Sequence, residues 1–290
     1  MKIIIPFLFL LLFSYSLQAE EKNEITMGFS PAENASAMEL KSKLLSDYFL
    51  KKAGIKVKSF IATDYTALIE AMRSGMVDFA WFPPYSFITA EKMADAKVLL
   101  KVSRRGHAAL HSAIFTRADK NFKTIESLKG KNIAWVDQAS FTGHIFPKAA
   151  VIQKVKGDID NFFGRQLFAG SHDTVVLAVH NGTVDAGATW CNDLKATDCS
   201  WHLYLKNDSK KIHAIYVSPD LPSDTVSTTN KFLKERSGIV KKVTNLLVEM
   251  TKDEEGKKIL FNLYGIDALL PATNKEFDPV RKAAHAIGLK

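Results

Sequence analysis

The chain has 290 residues, 47% of them hydrophobic and 24% charged, with 15 glycines and 9 prolines; this is globular composition and excludes disordered, collagen-like and coiled-coil chains. Thirty-nine basic against 31 acidic side chains give a formal charge of +8, which admits an anionic ligand, a nucleic acid or a membrane surface as partner. Two cysteines are too few for a disulfide scaffold, and the length allows two domains of roughly 100–150 residues, each with its own core.

Met1-Lys2, the apolar run 3–13 and the small-residue stretch ending at Ala19 have the layout of a secretory signal peptide, residues 1–19, cleaved after Ala19. The run is shorter than the ~18–20 apolar residues of a spanning helix, and no cysteine near the cleavage site suggests a lipoprotein. The expected location is therefore the periplasm, where nucleic acid is not an expected partner.

A strand at 25–29 leads into a helix over 36–53, whose apolar Met38, Leu40, Leu44, Leu45, Tyr48 and Phe49 keep helical spacing before Gly54 as C-cap. Strand 57–62 precedes a helix over 65–73 that Thr63-Asp64 caps. Strand 79–82 runs into Pro83-Pro84 and a helix over 85–93, and strands follow at 98–102 and 112–116. The rhythm resumes with strand 132–136, helix 145–155, strand 166–168, helix 174–180 and strands 186–190 and 212–217. The last third reads as helices over 231–251, 254–263 and 276–287. Such alternation predicts an α/β fold with largely parallel sheets.

Residues 70–80, ending Gly75-Met76-Val77-Asp78, are echoed by 177–187, with Gly182-Thr183-Val184-Asp185. Each reads as a helix, a Gly turn, Val-Asp and a small-residue strand. The repeat predicts two lobes with a cleft between them, lobe 1 being 20–114 plus 216–290 and lobe 2 being 115–215.

In open α/β sheets ligands sit beyond the carboxyl ends of strands. There this sequence places Ser30, then Pro83-Pro84-Tyr85-Ser86, then Ser140-Phe141-Thr142-Gly143-His144, and Gly170-Ser171-His172-Asp173. Hydroxyls, glycine and imidazole at a helix N-terminus, with its free N–H groups and positive dipole end, make an oxyanion cradle. Each residue alone is as readily a helix cap; the recurrence at several junctions points to binding.

Thr63-Asp64-Tyr65, residues 70–81, Leu128-Lys129-Gly130-Lys131, residues 140–143, Gly170-Ser171-His172-Asp173 and residues 181–185 together resemble the periplasmic phosphate/phosphite/phosphonate-binding components of ABC transporters. The resemblance implies a two-lobed type II periplasmic binding protein that closes on a phosphonate- or phosphite-like oxyanion. It further implies delivery to an inner-membrane permease, no enzymatic activity and no cofactor. The family's Ser-Thr-Ser-Gly loop matches Ser140-Phe141-Thr142-Gly143, with phenyl in place of the middle hydroxyl. Its histidine matches His172, its tyrosine Tyr65, and its hinge-side aspartate Asp224, which would accept a hydrogen from a protonated ligand. Tyr85 and Ser112 occupy similar positions. Leu110 or His111 stands where aminoalkylphosphonate binders carry an aromatic residue. Asn192 stands where they carry a carboxylate for the ammonium group, unless Asp193 substitutes. Of these residues and the cleft-side Phe141, Tyr65 and Trp81, the last three are expected to contact the substituent on phosphorus.

Other readings stay open at this point: a periplasmic partner that reports ligand to a membrane receptor kinase, or a binder of a different small oxyanion. The eight histidines and two cysteines fit no zinc spacing, so no metal site is expected. In an oxidising compartment Cys191 and Cys199 are expected to pair. The chain has no Gly-x-Ser-x-Gly elbow, which argues against a Ser/His/Asp hydrolase.

Overall fold

The computed structural model describes residues 23–31, 34–155, 159, 161–286 and 288–289; the expected signal peptide lies outside them. The chain begins β1 (Glu24–Phe29), α1 (Ala35–Ala53), β2 (Lys56–Ile61), α2 (Tyr65–Arg73), β3 (Phe79–Phe82), α3 (Pro84–Ala94) and β4 (Ala96–Ser103). Local chemistry sets these limits. Asn34 accepts the Ala37 N–H at the start of α1, and Gly54 closes it at φ 63°. Asp64 accepts the Ala67 N–H to start α2, and Pro84 occupies the first turn of α3.

The chain then crosses into a second sheet with β5 (Ala109–Arg117), β6 (Ile133–Trp135), α4 (Phe146–Val155), β7 (Gln166–Phe168), α5 (His172–His180), β8 (Ala186–Cys191), α6 (Ser200–Leu205), β9 (Ile212–Val217) and β10 (Leu221–Pro222). It returns through β11 (Thr225–Thr229), α7 (Asn230–Glu235), α8 (Ser237–Met250), α9 (Glu254–Tyr264), β12 (Ala268–Pro271) and α10 (Asp278–Ala286). The first sheet is ordered β12-β4-β11-β3-β1-β2, and the second β10-β5-β8-β6-β7 with β9 also on β5. The expected boundary between Ile114 and Phe115 falls inside β5, all of which belongs to the second sheet.

The sheets are mixed, which corrects the expectation of largely parallel strands. β1 runs parallel to β2 and β3, and β6 to β7 and β8. The pairs made by β5 and β11 are antiparallel. These are the strands by which the chain enters each sheet from the other, so they run against the βα units already in place. β11 was not legible as a strand because it reads Thr-Val-Ser-Thr-Thr, with no alternation of polarity. Its first four residues are nevertheless buried, with hydroxyls satisfied inside: Thr225 Oγ1 donates to the Phe82 carbonyl and Thr228 Oγ1 to that of Asp78. The helix expected over 231–251 is two helices, α7 and α8, broken at Arg236 (φ −129°, ψ 38°). Ser237-Gly238, both weak helix formers, follow the break.

The internal echo is structural. Gly75 and Gly182 take φ of 77° and 74°, a region open to glycine at little cost. The Val77 and Val184 N–H groups donate back to Ala71 and Ala178. Asp78 accepts the Thr26 N–H at 2.7 Å and Asp185 the Asn132 N–H at 3.0 Å, while each donates its own N–H to that same residue's carbonyl. A threonine from a crossing strand, Thr228 or Thr116, donates to each aspartate's carbonyl at 2.7 Å. One aspartate per lobe thus holds the start of the central strand in register.

Helices α1, α8 and α9 cover one face of the first sheet, with Phe49, Val243 and Leu260 fully buried; α2, α3 and α10 cover the other. In the second lobe α5 packs so closely on β8 that a Cβ on Gly187 would stand 2.6 Å from Val175 Cγ1 and 2.9 Å from Val179 Cγ2. Gly187→Ala is accordingly expected to lower unfolding free energy by about 1–3 kcal/mol, measured by urea denaturation; an unchanged midpoint would show that α5 is free to shift.

Candidate functional site

The carboxyl ends of β3 and β6 and the N-termini of α2 and α5 converge on a cavity of about 450 Å³ between the lobes. Tyr65, Ser140, Thr142, His172, Asn192 and Asp224 of the expected set line it. Tyr85, Ser112, Phe141, Gly143 and His144 do not.

The Ser140–Gly143 loop opens a π-helical turn, Phe141–Ile145, that continues into α4. Ser140 Oγ accepts the Gly143 N–H at 3.2 Å, and the Val136 N–H donates to the Gly143 carbonyl at 3.1 Å. The loop therefore folds back on β6. Glycine is required there by space rather than dihedral: a Cβ on Gly143 would sit 2.3 Å from Val136 Cγ2. Phe141 and Thr142 are first-turn residues, whose N–H groups have no acceptor within the helix. Ser112 takes a different part from the one expected: from β5, its hydroxyl donates to the Thr142 carbonyl at 2.7 Å and pins the loop.

Phe141 does not line the cavity: its ring is buried in the core beneath the first sheet and meets Phe146 edge-on. His144 likewise points away: its Nδ1 lies 2.9 Å from the Gln138 carbonyl and its ring packs against Trp135 and Phe168. Burial lowers its pKa to about 4. Half-buried Tyr85 packs against the hydrophobic cores, and burial raises its pKa.

His172 is the first residue of α5 and is 5% exposed. Its Nδ1 lies 2.9 Å from Thr189 Oγ1, which in turn donates to Ser200 Oγ at 2.7 Å. Thr189 has one hydroxyl hydrogen and gives it to Ser200, so His172 Nδ1 is the donor. Burial, with the Arg104 charge nearby, holds the ring's pKa at about 3. The ring is therefore neutral at physiological pH, and with Nδ1 donating to Thr189 its Nε2 is left as the acceptor.

Tyr65 comes from the other lobe. It is fully buried; its backbone N–H faces the Asp137 carboxylate and its phenol interacts with Ser140. Burial first, then the Asp137 charge, raises the phenol's pKa. Ser86 Oγ reaches the Ala139 carbonyl at 3.5 Å, and Arg105 pairs with Asp198 at 2.7 Å. The lobes are thus in contact around the cavity.

Sequence reasoning assigned no basic side chain to the site, and the structure places Arg104 there. Its Nη2 meets Asp224 at 2.6 Å, its Nε donates to the Tyr264 carbonyl at 2.7 Å, and its Nη1 reaches Ser223. Asp224 is thus already engaged. Nothing in the run Arg104-Arg105-Gly106 told which arginine turns inward. Trp190, Tyr204 and Tyr264 also line the cavity without a sequence signal. Leu110 faces it, whereas His111 turns to the Ser218 carbonyl at 2.9 Å.

Asp193 does not substitute for Asn192. It closes its own turn, accepting from the N–H groups of Lys195, Thr197 and Asp198 and from the Thr197 hydroxyl. Burial works against it, yet these bonds hold the carboxyl below the usual range. Asn192 donates to Asp198 at 2.7 Å. Cys191 and Cys199 are joined by a disulfide across the base of this loop.

A family model for the periplasmic substrate-binding protein of phosphonate ABC transporters matches residues 27–277. The phosphate-import protein PhnD of Mycolicibacterium smegmatis is 32% identical over 174 residues, 56% of this chain; the match spans about half, 54%, of that relative's length. The phosphonates-binding periplasmic protein of Escherichia coli is 28% identical over 91% of this chain and 77% of its own. PhnD1 of Prochlorococcus marinus, solved with methylphosphonate, superposes with a TM-score of 0.78 at 18% identity, covering 92% of this chain and 98% of that one.

His144 and His172 have pKa values below the ordinary 6.5 in the folded chain, so the unfolded chain binds protons that the fold refuses. Their contribution is whole above pH 6.5 and is lost as pH falls toward 4 and 3, by about 2 kcal/mol per ring at pH 5. The raised carboxyls of Asp78 and Asp137 work in the opposite sense, so the comparison is between slopes. Urea unfolding at pH 7 and pH 5 is expected to show His144→Phe losing about 2 kcal/mol less than the parent; equal losses would place that ring in contact with solvent.

Proposed function

The chain belongs to the periplasmic substrate-binding proteins of phosphonate ABC transporters, and from that premise we propose that it captures a phosphonate- or phosphite-like oxyanion in the inter-lobe cavity and delivers it to a membrane permease. The observation that carries the reading is the meeting of the Ser140–Gly143 loop, at the start of a helix, with His172 of the same lobe and Tyr65 of the other around one cavity. Hydroxyls and first-turn N–H groups receive the anion's oxygens, and the helix dipole favours its charge. The segments between β4 and β5 and between β10 and β11 are the two crossings about which the lobes close, and closure removes the anion from water.

A neutral His172 repels an ionised oxygen and accepts a hydrogen from a protonated one. With Asp224 held by Arg104, His172 Nε2 takes over the acceptor role that the sequence assigned to Asp224. The ligand is thereby selected as a monoanion. Residues 1–19, read as a signal peptide, account for delivery to the periplasm, and the permease is the partner that membership of this transporter class requires.

Isothermal titration of the purified protein with phosphate, phosphite, methylphosphonate and sulfate tests the reading. Ser140→Ala and His172→Ala are each expected to weaken phosphonate binding about ten- to a hundredfold with an unchanged circular dichroism spectrum. Binding of sulfate alone would contradict the assignment. Affinity for methylphosphonate is expected to fall as pH rises from 6 to 8, because the ligand progressively loses its second proton over that range, while His172 does not titrate there. A rise in affinity over that range would show that the site selects the dianion.

A further inference from the structure

We propose that the cognate ligand carries an uncharged apolar substituent of about the size of a phenyl ring on its phosphorus. This rests on the oxyanion reading above and names the ligand class more narrowly.

The cavity measures about 450 Å³ with the lobes already touching through Tyr65 and Ser140, Ser86 and Ala139, and Arg105 and Asp198. A PO₃ head of four heavy atoms takes up about the space of two or three waters, ~60–90 Å³. Most of the volume therefore serves something attached to it, and the whole lies within the roughly 300–1,000 Å³ of pockets that enclose larger organic ligands.

The hydroxyls of Ser140 and Thr142 and the imidazole of His172 share the wall with an apolar set. That apolar set is Trp81, Leu110, Trp190 and Tyr264, together with the exposed Leu203 and Phe261. Trp81 and Tyr264 lie with ring centroids 5.9 Å apart at 54°, and the Trp190 ring stands edge-on to His172 at 6.5 Å. Flat aromatic walls of this kind favour an aromatic or branched apolar group.

A cationic substituent has no carboxylate to meet. Asp224 is paired with Arg104 at 2.6 Å. Asp198 holds both Arg105 and Asn192 at 2.7 Å, and Asp193 is closed into its turn by four hydrogen bonds.

Titration calorimetry of the full protein with phenylphosphonate, methylphosphonate and 2-aminoethylphosphonate, at one pH and salt concentration, tests this. Each newly buried apolar carbon is worth roughly a fourfold change in affinity, so phenylphosphonate is expected to bind at least about tenfold more tightly than methylphosphonate. The aminoethyl compound is expected to bind no better than methylphosphonate. Methylphosphonate binding as tightly as phenylphosphonate, or the aminoethyl compound binding tightest, overturns the apolar-substituent inference and leaves the oxyanion receptor standing. Binding of none of the three overturns the receptor reading and this inference with it.

Discussion

Burying a phenol costs free energy unless its hydroxyl finds a partner, and Tyr65 finds its partner on the opposite lobe. The residue starts α2 in the first lobe, yet its N–H faces Asp137 and its hydroxyl meets Ser140 in the second. The loop proposed to cup the anion therefore also meets the residue at the seam.

The two halves reach this seam by the same construction. In each, a helix ends in a glycine turn, and an aspartate carboxylate anchors the N–H at the start of the central strand. Neither half supplies the whole site. The second contributes the hydroxyl loop and the imidazole; the first contributes Tyr65 and Trp81; the crossings contribute Arg104 and Asp224. A cavity assembled in this way exists only when the lobes are together, which suits a molecule that must hold its ligand and release it.

The electrostatics of the cavity differ from what a net charge of +8 suggests. The one arginine in its wall is spent on Asp224, and the histidine is neutral. Attraction for an anion then comes from hydroxyls, first-turn N–H groups and a helix dipole, which act at short range and with direction. Directional donors discriminate among oxyanions by geometry and protonation state. A bare positive charge would discriminate far less.

The sequence by itself determined the α/β alternation, the repeated Gly-x-Val-Asp turn, and the strand ends where chemistry gathers. These follow from periodicity and turn propensity, which act over a few residues. The hydroxyl loop and His172 stood out for the same reason, because each sits at a strand or helix end, whereas Tyr65 was pointed to by the family resemblance alone. Tertiary structure alone decided the rest. Ser140 and Thr142 line the cavity while Phe141 enters the core, where the ring of Phe146 on α4 meets it. His172 presents an acceptor because Thr189, 17 residues away, gives its hydrogen to Ser200. The polar strand β11 lies buried between β3 and β4, where its hydroxyls find carbonyls that no local pattern announces. Asp224 is occupied because the chain crossing 120 residues earlier brings Arg104 beside it, a meeting of side chains that only the folded chain sets.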